Sequence, residues 1–153
     1  MFKNFLILSF IFISLNLNAQ WENNSYDGDD GEIKISNCYS TESKTNILRI
    51  ENLYDGIHFS LVSYNELCDF ENIMVKIVFV FPSGNVVCNV DKAFTQGGIE
   101  EIIISTDLEK EKYFEYFKKC SSLRIEVLTS DCGSKYYNFN MLKSSKSIEY
   151  VKN

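Results

Sequence analysis

From Glu32 to the C terminus the chain alternates apolar and polar residues with a period of two, and turn residues cut the alternation into short runs. Successive side chains of a strand point to opposite faces, so each run makes a strand with one apolar face. Short alternating runs joined by tight turns predict antiparallel hairpins. The chain therefore reads as mainly β, an antiparallel β-sandwich or open barrel of about seven or eight strands with one packed helix.

The runs are specific enough to assign faces. Glu32 to Asn37 reads as a first strand. Leu48 to Leu53 and Ile57 to Tyr64 flank Asp55-Gly56, a two-residue hairpin signal. Pairing Tyr54 with Ile57 puts Leu48, Ile50, Phe59 and Leu61 on one face, with Arg49, Glu51, His58 and Ser60 on the other. Ile73 to Phe81 and Val86 to Val90 flank Pro82-Ser83-Gly84-Asn85, where the single proline suits a turn. That pairing gathers Val75, Ile77, Phe79, Phe81, Val86, Cys88 and Val90 on one face and sets Lys76 opposite Asp91. Val78, Val80 and Val87 lie on the reverse, which predicts a central hairpin partly covered on both sides.

Ile99 to Ser105 is a further strand, followed by a helix over 107–119. Thr106 and Glu109 form a capping box, Lys118 and Lys119 suit the C-terminal dipole, and Tyr113, Phe114 and Phe117 supply an apolar face. In the last hairpin Leu123, Ile125 and Val127 must share the core face with Tyr137, Phe139 and Met141. Those sets align only across a loop with an odd number of residues, which Asp131-Cys132-Gly133 satisfies with Gly133 left-handed. Ser144 to Val151 reads as a short helical turn.

Before the alternation stands a different kind of segment. Met1 to Gln20 has a basic Lys3, an apolar run of about 13 residues from Phe5 to Leu17, and a small-residue site at Leu17-Asn18-Ala19. The run is shorter than the roughly 20 residues a bilayer demands, so it reads as a secretory signal peptide and not an anchor. The chain then divides into a signal peptide (1–19), a flexible polar leader (20–31) and one β-rich domain (32–153). No cysteine lies near the cut, which disfavours a lipid-anchored form. The expected location is outside the cytoplasm, in a periplasm or the extracellular space, with no stable membrane insertion after cleavage. Arg49 and Arg124 are the only arginines among 15 basic residues, and Asn and Ile are frequent, which points to an AT-rich bacterial source.

A formal charge of −6 and scattered basic residues exclude nucleic acid as a natural partner. The five cysteines, Cys38, Cys68, Cys88, Cys120 and Cys132, form no Cys-x-x-Cys pair, and one histidine is too few for the usual zinc sites. An oxidising compartment makes disulfides the natural reading, and the odd count leaves one thiol over. Cys120 and Cys132 flank one strand, roughly 25 Å apart at about 3.3 Å per residue, too far for a bridge spanning at most ~7 Å. Cys88, on the core face opposite Phe79, is the candidate free thiol. Cys68 and Cys38 then each take one of Cys120 and Cys132, with Cys68 to Cys132 favoured because both lie in loops.

No catalytic, cofactor-binding or metal constellation emerges. His58 lies mid-hairpin on the polar face, where a solvated histidine is the simplest reading. Glu100 and Glu101 point to opposite faces of a strand, so they cannot act as paired glycosidase acids. Asp27-Gly28-Asp29-Asp30-Gly31 departs from the EF-hand pattern at its fifth position and lacks the distal Glu. Tyr26, Tyr39, Tyr54, Tyr64 and Tyr136 fall on outer faces or loops and supply contact groups for a sugar or a protein.

Trp21, the Asp29-Asp30-Gly31 turn, the helix leading into Ser122-Leu123-Arg124-Ile125, and Tyr137-Asn138-Phe139 before Ser144-Ser145-Lys146-Ser147-Ile148 together resemble small exported bacterial proteins of the type VI secretion-associated VasI-like family. The resemblance implies a non-enzymatic accessory β-domain and carries no functional residues. The expectation is an exported, non-catalytic domain that requires no cofactor and binds a protein or envelope component. A carbohydrate-binding module, or a glycan hydrolase working with carboxylates alone, is the alternative.

Overall fold

The computed structural model describes residues 21–29, 31–53, 56–63, 73–90, 93–95, 101–104, 110–129 and 133–153. They form an all-β, sandwich-like fold of two antiparallel sheets with two short helices. One sheet contains β1 (Trp21–Gly28), β2 (Gly31–Tyr39), β3 (Asn46–Leu53), β4 (Gly56–Ser63), β7 (Ala93–Thr95) and β8 (Glu101–Ile104), in the order β1-β2-β3-β4-β8-β7. The other contains β5 (Ile73–Phe81), β6 (Gly84–Val90), β9 (Ser122–Thr129) and β10 (Gly133–Asn140), in the order β10-β9-β5-β6. Helix α1 (Lys110–Lys119) precedes β9 and α2 (Ser144–Lys152) ends the chain. Residues 1–20, which include the expected signal peptide (1–19), lie outside the described residues.

Three hairpins use one turn. Gly28 opposes Gly31, Leu53 opposes Gly56 and Phe81 opposes Gly84, each pair enclosing two residues. The glycine that starts the return strand has φ near 130° in each, a region that side chains oppose. This turn corrects two registers. Leu53, not Tyr54, closes the β3–β4 hairpin, and Gly84 and Asn85 belong to β6 rather than to a loop. Both registers slide by two residues, so the face assignments survive: Ile50 opposes Phe59, Leu48 opposes Leu61, and Glu51 opposes His58. Lys76 opposes Asn89 and not Asp91. The β9–β10 hairpin keeps the odd loop its apolar faces demand, but it encloses 130–132 instead of Asp131-Cys132-Gly133: Thr129 opposes Gly133, which starts β10 with φ 72°, and Leu123 opposes Phe139.

The leader is not flexible chain. Residues 21–28 form β1, fully paired with β2 from Trp21 opposite Cys38 to Gly28 opposite Gly31. Its central residues are all exposed, so an edge strand here has no apolar face to reveal it. Side chains add to the ladder: Ser36 Oγ donates to Asn23 Oδ1 at 2.7 Å, and Tyr39 Oη donates to Glu22 Oε2 at 2.8 Å. With β1 and the short β7, the described strands exceed the expected seven or eight.

The core lies between the sheets and under the helices. Tyr113, Phe114 and Phe117 on α1 are buried, and Phe117 meets both layers. Its ring stacks on Phe59 at 4.7 Å and stands edge-on to Phe79 at 5.2 Å. Lys118 and Lys119 occupy the last turn of α1 as expected, while the capping-box residues fall outside the described residues. A second full helix, α2, replaces the expected helical turn. It packs Ile148 and Val151 inward and rests against α1, β1, β2 and β3. Each fully buried side chain of this size stabilises the fold by about 1.5–3 kcal/mol.

Backbone hydrogen bonds stitch the sheets together at one corner. Ser40 bridges Phe139, and Thr41 N–H donates to the Asn138 carbonyl at 2.8 Å. The cysteines take structural roles unlike those expected. Cys38 and Cys120 carry free thiols, so neither is the disulfide partner the cysteine arithmetic assigns. Both fill core space as small apolar groups. Each thiol donates to a carbonyl, that of Asn140 at 3.5 Å for Cys38 and that of Phe117 at 3.9 Å for Cys120. Burial pushes both thiols up to about 12. Cys88 is half-buried on β6, opposite Ile77 rather than Phe79. Cys68 and Cys132 lie outside the described residues.

Candidate functional site

The outward positions of the four-stranded sheet bring together residues from the whole second half of the chain. Register aligns Tyr136, Glu126, Lys76 and Asn89 in one row across β10, β9, β5 and β6. The next row is Asn138, Arg124, Val78 and Val87. At the centre, Lys76 Nζ lies 3.1 Å from Glu126 Oε2, and Arg124 Nη2 lies 2.8 Å from Glu126 Oε1. The Arg124 guanidinium sits over the Tyr136 ring, 5.9 Å from its centroid. The hydrogen bond from Lys76 holds the Glu126 carboxyl below the usual carboxylate range despite burial, and the charges of Lys76 and Arg124 act in the same sense.

Around this network stand apolar groups that water still reaches. Met74 is 66% exposed, Val87 52% and Tyr136 56%. Glu126 neutralises part of the charge on both its partners, while the Arg124 side chain remains 46% exposed. Packing of an arginine against a tyrosine ring restricts both side chains before any ligand arrives. Tyrosine and arginine are also the residues that most often dominate protein contact surfaces.

At one edge of this face Glu42 adds a second polar contact. Asn138 Nδ2 donates to Glu42 Oε1 at 2.6 Å. Burial works to raise the Glu42 carboxyl, but the hydrogen bonds from Asn138 and Thr41 outweigh it and lower it.

The outer face of the six-stranded sheet holds the groups that suggest catalysis on paper. Glu51 opposes His58 and Arg49 opposes Ser60, so His58 and Ser60 share a face. His58 is half-buried rather than solvated. Ser60 is 1% exposed, and its buried Oγ makes no hydrogen bond. A nucleophilic serine needs a base within hydrogen-bond reach and an open approach for the carbonyl, and Ser60 is buried with no base bonded to it among the described residues. Arg49 Nε donates instead to Asn37 Oδ1 at 3.3 Å.

The tyrosines do not assemble into a platform among the described residues. Tyr26 is 51% exposed on the six-stranded sheet, whereas Tyr136 is on the other sheet. Tyr39 is half-buried and engaged with Glu22; Tyr54 and Tyr64 lie outside the described residues. Asp29 sits in the β1–β2 turn, and no three His, Cys, Asp or Glu side chains gather to hold a metal among the described residues. No helix among them is long and apolar enough to cross a membrane.

The network of Lys76, Glu126, Arg124 and Tyr136 was not anticipated from sequence. Its members share the outward parity of their strands, which is legible; the adjacency of β5 and β9 is not. Compared with known protein families, curated proteins and solved structures, the chain matches none.

Proposed function

We propose that this is an exported, non-catalytic β-domain that docks a protein or envelope component on the outer face of its four-stranded sheet. The observation that carries the reading is the exposed arrangement of Tyr136, Arg124, Met74 and Val87 around the Glu126 ion pairs. Contact surfaces of this kind combine an aromatic and arginine anchor with apolar neighbours and a polar rim. Export rests on the signal-peptide pattern of residues 1–19. The narrower role, as an accessory protein of secretion machinery, rests on the VasI-like resemblance alone.

The test is affinity capture from envelope extract with the wild type beside Tyr136→Ala and Arg124→Ala. A partner retained by the wild type and lost by both variants supports the reading. Failure to retain any partner at any stringency, or retention by all three proteins alike, overturns it. N-terminal sequencing of the protein recovered from outside the cytoplasm tests export; a chain starting at Met1 and found only inside the cell sinks that part.

A further inference from the structure

Among the described residues β6 is the last strand of its sheet, and no described strand pairs with its outer edge. Asn85, Val87 and Asn89 are exposed, and Val86 and Cys88 are half-buried. Natural edge strands are normally guarded by charge, proline or a bulge, because an open row of amides and carbonyls recruits another strand. The other edges among the described strands carry such guards. Strand β1 carries the charged Glu22 and Asp27, and β7 is only three residues long. Strand β10 carries Lys135, and its edge is partly taken by the bridge from Ser40 to Phe139. Strand β6, Gly-Asn-Val-Val-Cys-Asn-Val, carries no charge at all.

Its residues are also nearly palindromic. Reading outward from Val87, Val86 mirrors Cys88 and Asn85 mirrors Asn89. A two-fold axis normal to the sheet keeps the outer faces of both copies on one side, so residues of the same face must oppose one another. Centring the axis on Val87 meets that condition. From the edge position, the missing charge and the mirrored sequence, we propose that two copies of this chain pair antiparallel along β6, with Val87 opposite Val87 of the partner subunit.

In this register Asn85 faces Asn89 of the partner subunit on both sides of the axis. Carboxamides both donate and accept hydrogen bonds, so the pairs are self-complementary. The Val87 side chain, 52% exposed in the single chain, is covered by its own copy. Two four-stranded sheets become one continuous sheet. Each copy uses its β6 edge once, so the assembly closes as a dimer and does not propagate into a fibre. A charge of −6 on each copy opposes the approach at long range, so added salt strengthens the dimer by screening. The pairing uses the edge of the sheet and shares Val87 with the docking face; sedimentation of the purified protein alone tests it apart from any docked component.

Sedimentation of the purified protein from about 1 μM to about 1 mM, at low and high salt, measures the association. The expected result is a monomer–dimer equilibrium that tightens with salt. Val87→Lys, which opposes two ammonium groups on the axis, weakens it by about tenfold or more, while Val87→Thr leaves it within about threefold. Both substitutions are at an exposed position, and an unchanged melting temperature at low concentration shows the single chain intact. The register has its own test: Asn85→Asp with Asn89→Lys in one chain places opposite charges across the axis and tightens the dimer, and Asn85→Asp with Asn89→Asp loosens it. A monomer throughout, a dimer indifferent to Val87→Lys, or the reverse order of the two double variants overturns the proposal.

Discussion

Phe117 stacks on Phe59 with their ring centroids 4.7 Å apart and their planes 23° from parallel, which fastens α1 to the six-stranded sheet. Because the same ring meets Phe79 edge-on, one side chain on the helix couples the two layers. Phe117→Ala leaves a cavity at that junction and is expected to cost about 3–5 kcal/mol. Thermal unfolding followed by near-ultraviolet circular dichroism measures it. A loss of under about 1 kcal/mol would show that the layers hold without the ring.

The Ser144 hydroxyl, 1% exposed, donates to the Phe117 carbonyl at 2.6 Å and joins the start of α2 to α1. Removing it leaves that carbonyl without this donor, so Ser144→Ala is expected to destabilise by about 1–3 kcal/mol. The residue before it, Lys143, has φ 68° and is the only described non-glycine residue with positive φ. A side chain there costs about 1–2 kcal/mol, so Lys143→Gly is expected to raise the melting temperature slightly. Urea titrations of the two single variants separate the effects, since they carry opposite signs.

Acid is expected to attack the outer face first at Glu126. Its carboxyl is held low by Lys76 and Arg124, so its contribution to stability is full above the unfolded carboxylate pKa of about 4.3. That contribution is lost as pH falls through the lowered folded value. Glu126→Gln is therefore expected to lower stability near neutrality and to flatten the decline below about pH 4.3. Urea midpoints measured for both proteins across the acid range decide it; parallel curves would mean that the carboxylate adds nothing.

With thiols buried and pushed up to about 12, Cys38 and Cys120 are expected to resist alkylation in the folded protein. Both should label promptly once the chain is unfolded without reductant. Peptide mapping reads the two sites separately. Labelling that requires reductant would show either residue in a disulfide.

Where burial is one-sided, residue types alone locate the strands. Val75, Ile77 and Phe79 alternate with outward positions, and so do Leu123, Ile125 and Val127, so their core faces are legible without coordinates. A register slip of two residues leaves such faces intact, which is why Leu48, Ile50, Phe59 and Leu61 are correctly grouped even though the turn begins after Leu53. Strand β1 escapes for the opposite reason: Glu22 to Asp27 is polar on both faces because both meet water. Its one readable sign is Gly28-Asp29-Asp30-Gly31, the same two-residue turn that closes the next hairpins. The ion pairs of Lys76 and Glu126 join residues 50 positions apart. Nothing local to either residue encodes that meeting, which depends on β7, β8 and α1 intervening between β6 and β9.

That long return dictates an order of events when the chain emerges N terminus first. Strands β1 to β4 pair with their chain neighbours, so this meander can close before the rest of the chain is free to fold. Ile77 finds Cys88 only 11 residues later but must wait 48 for Ile125, about two doublings of loop length and roughly 1 kcal/mol more closure entropy. Until β9 arrives, the apolar side of the β5–β6 hairpin stays uncovered and both of its edges stay open. The most aggregation-prone species is therefore the chain cut short before Ser122, which has made its first hairpins and has nothing yet to lay across its second sheet.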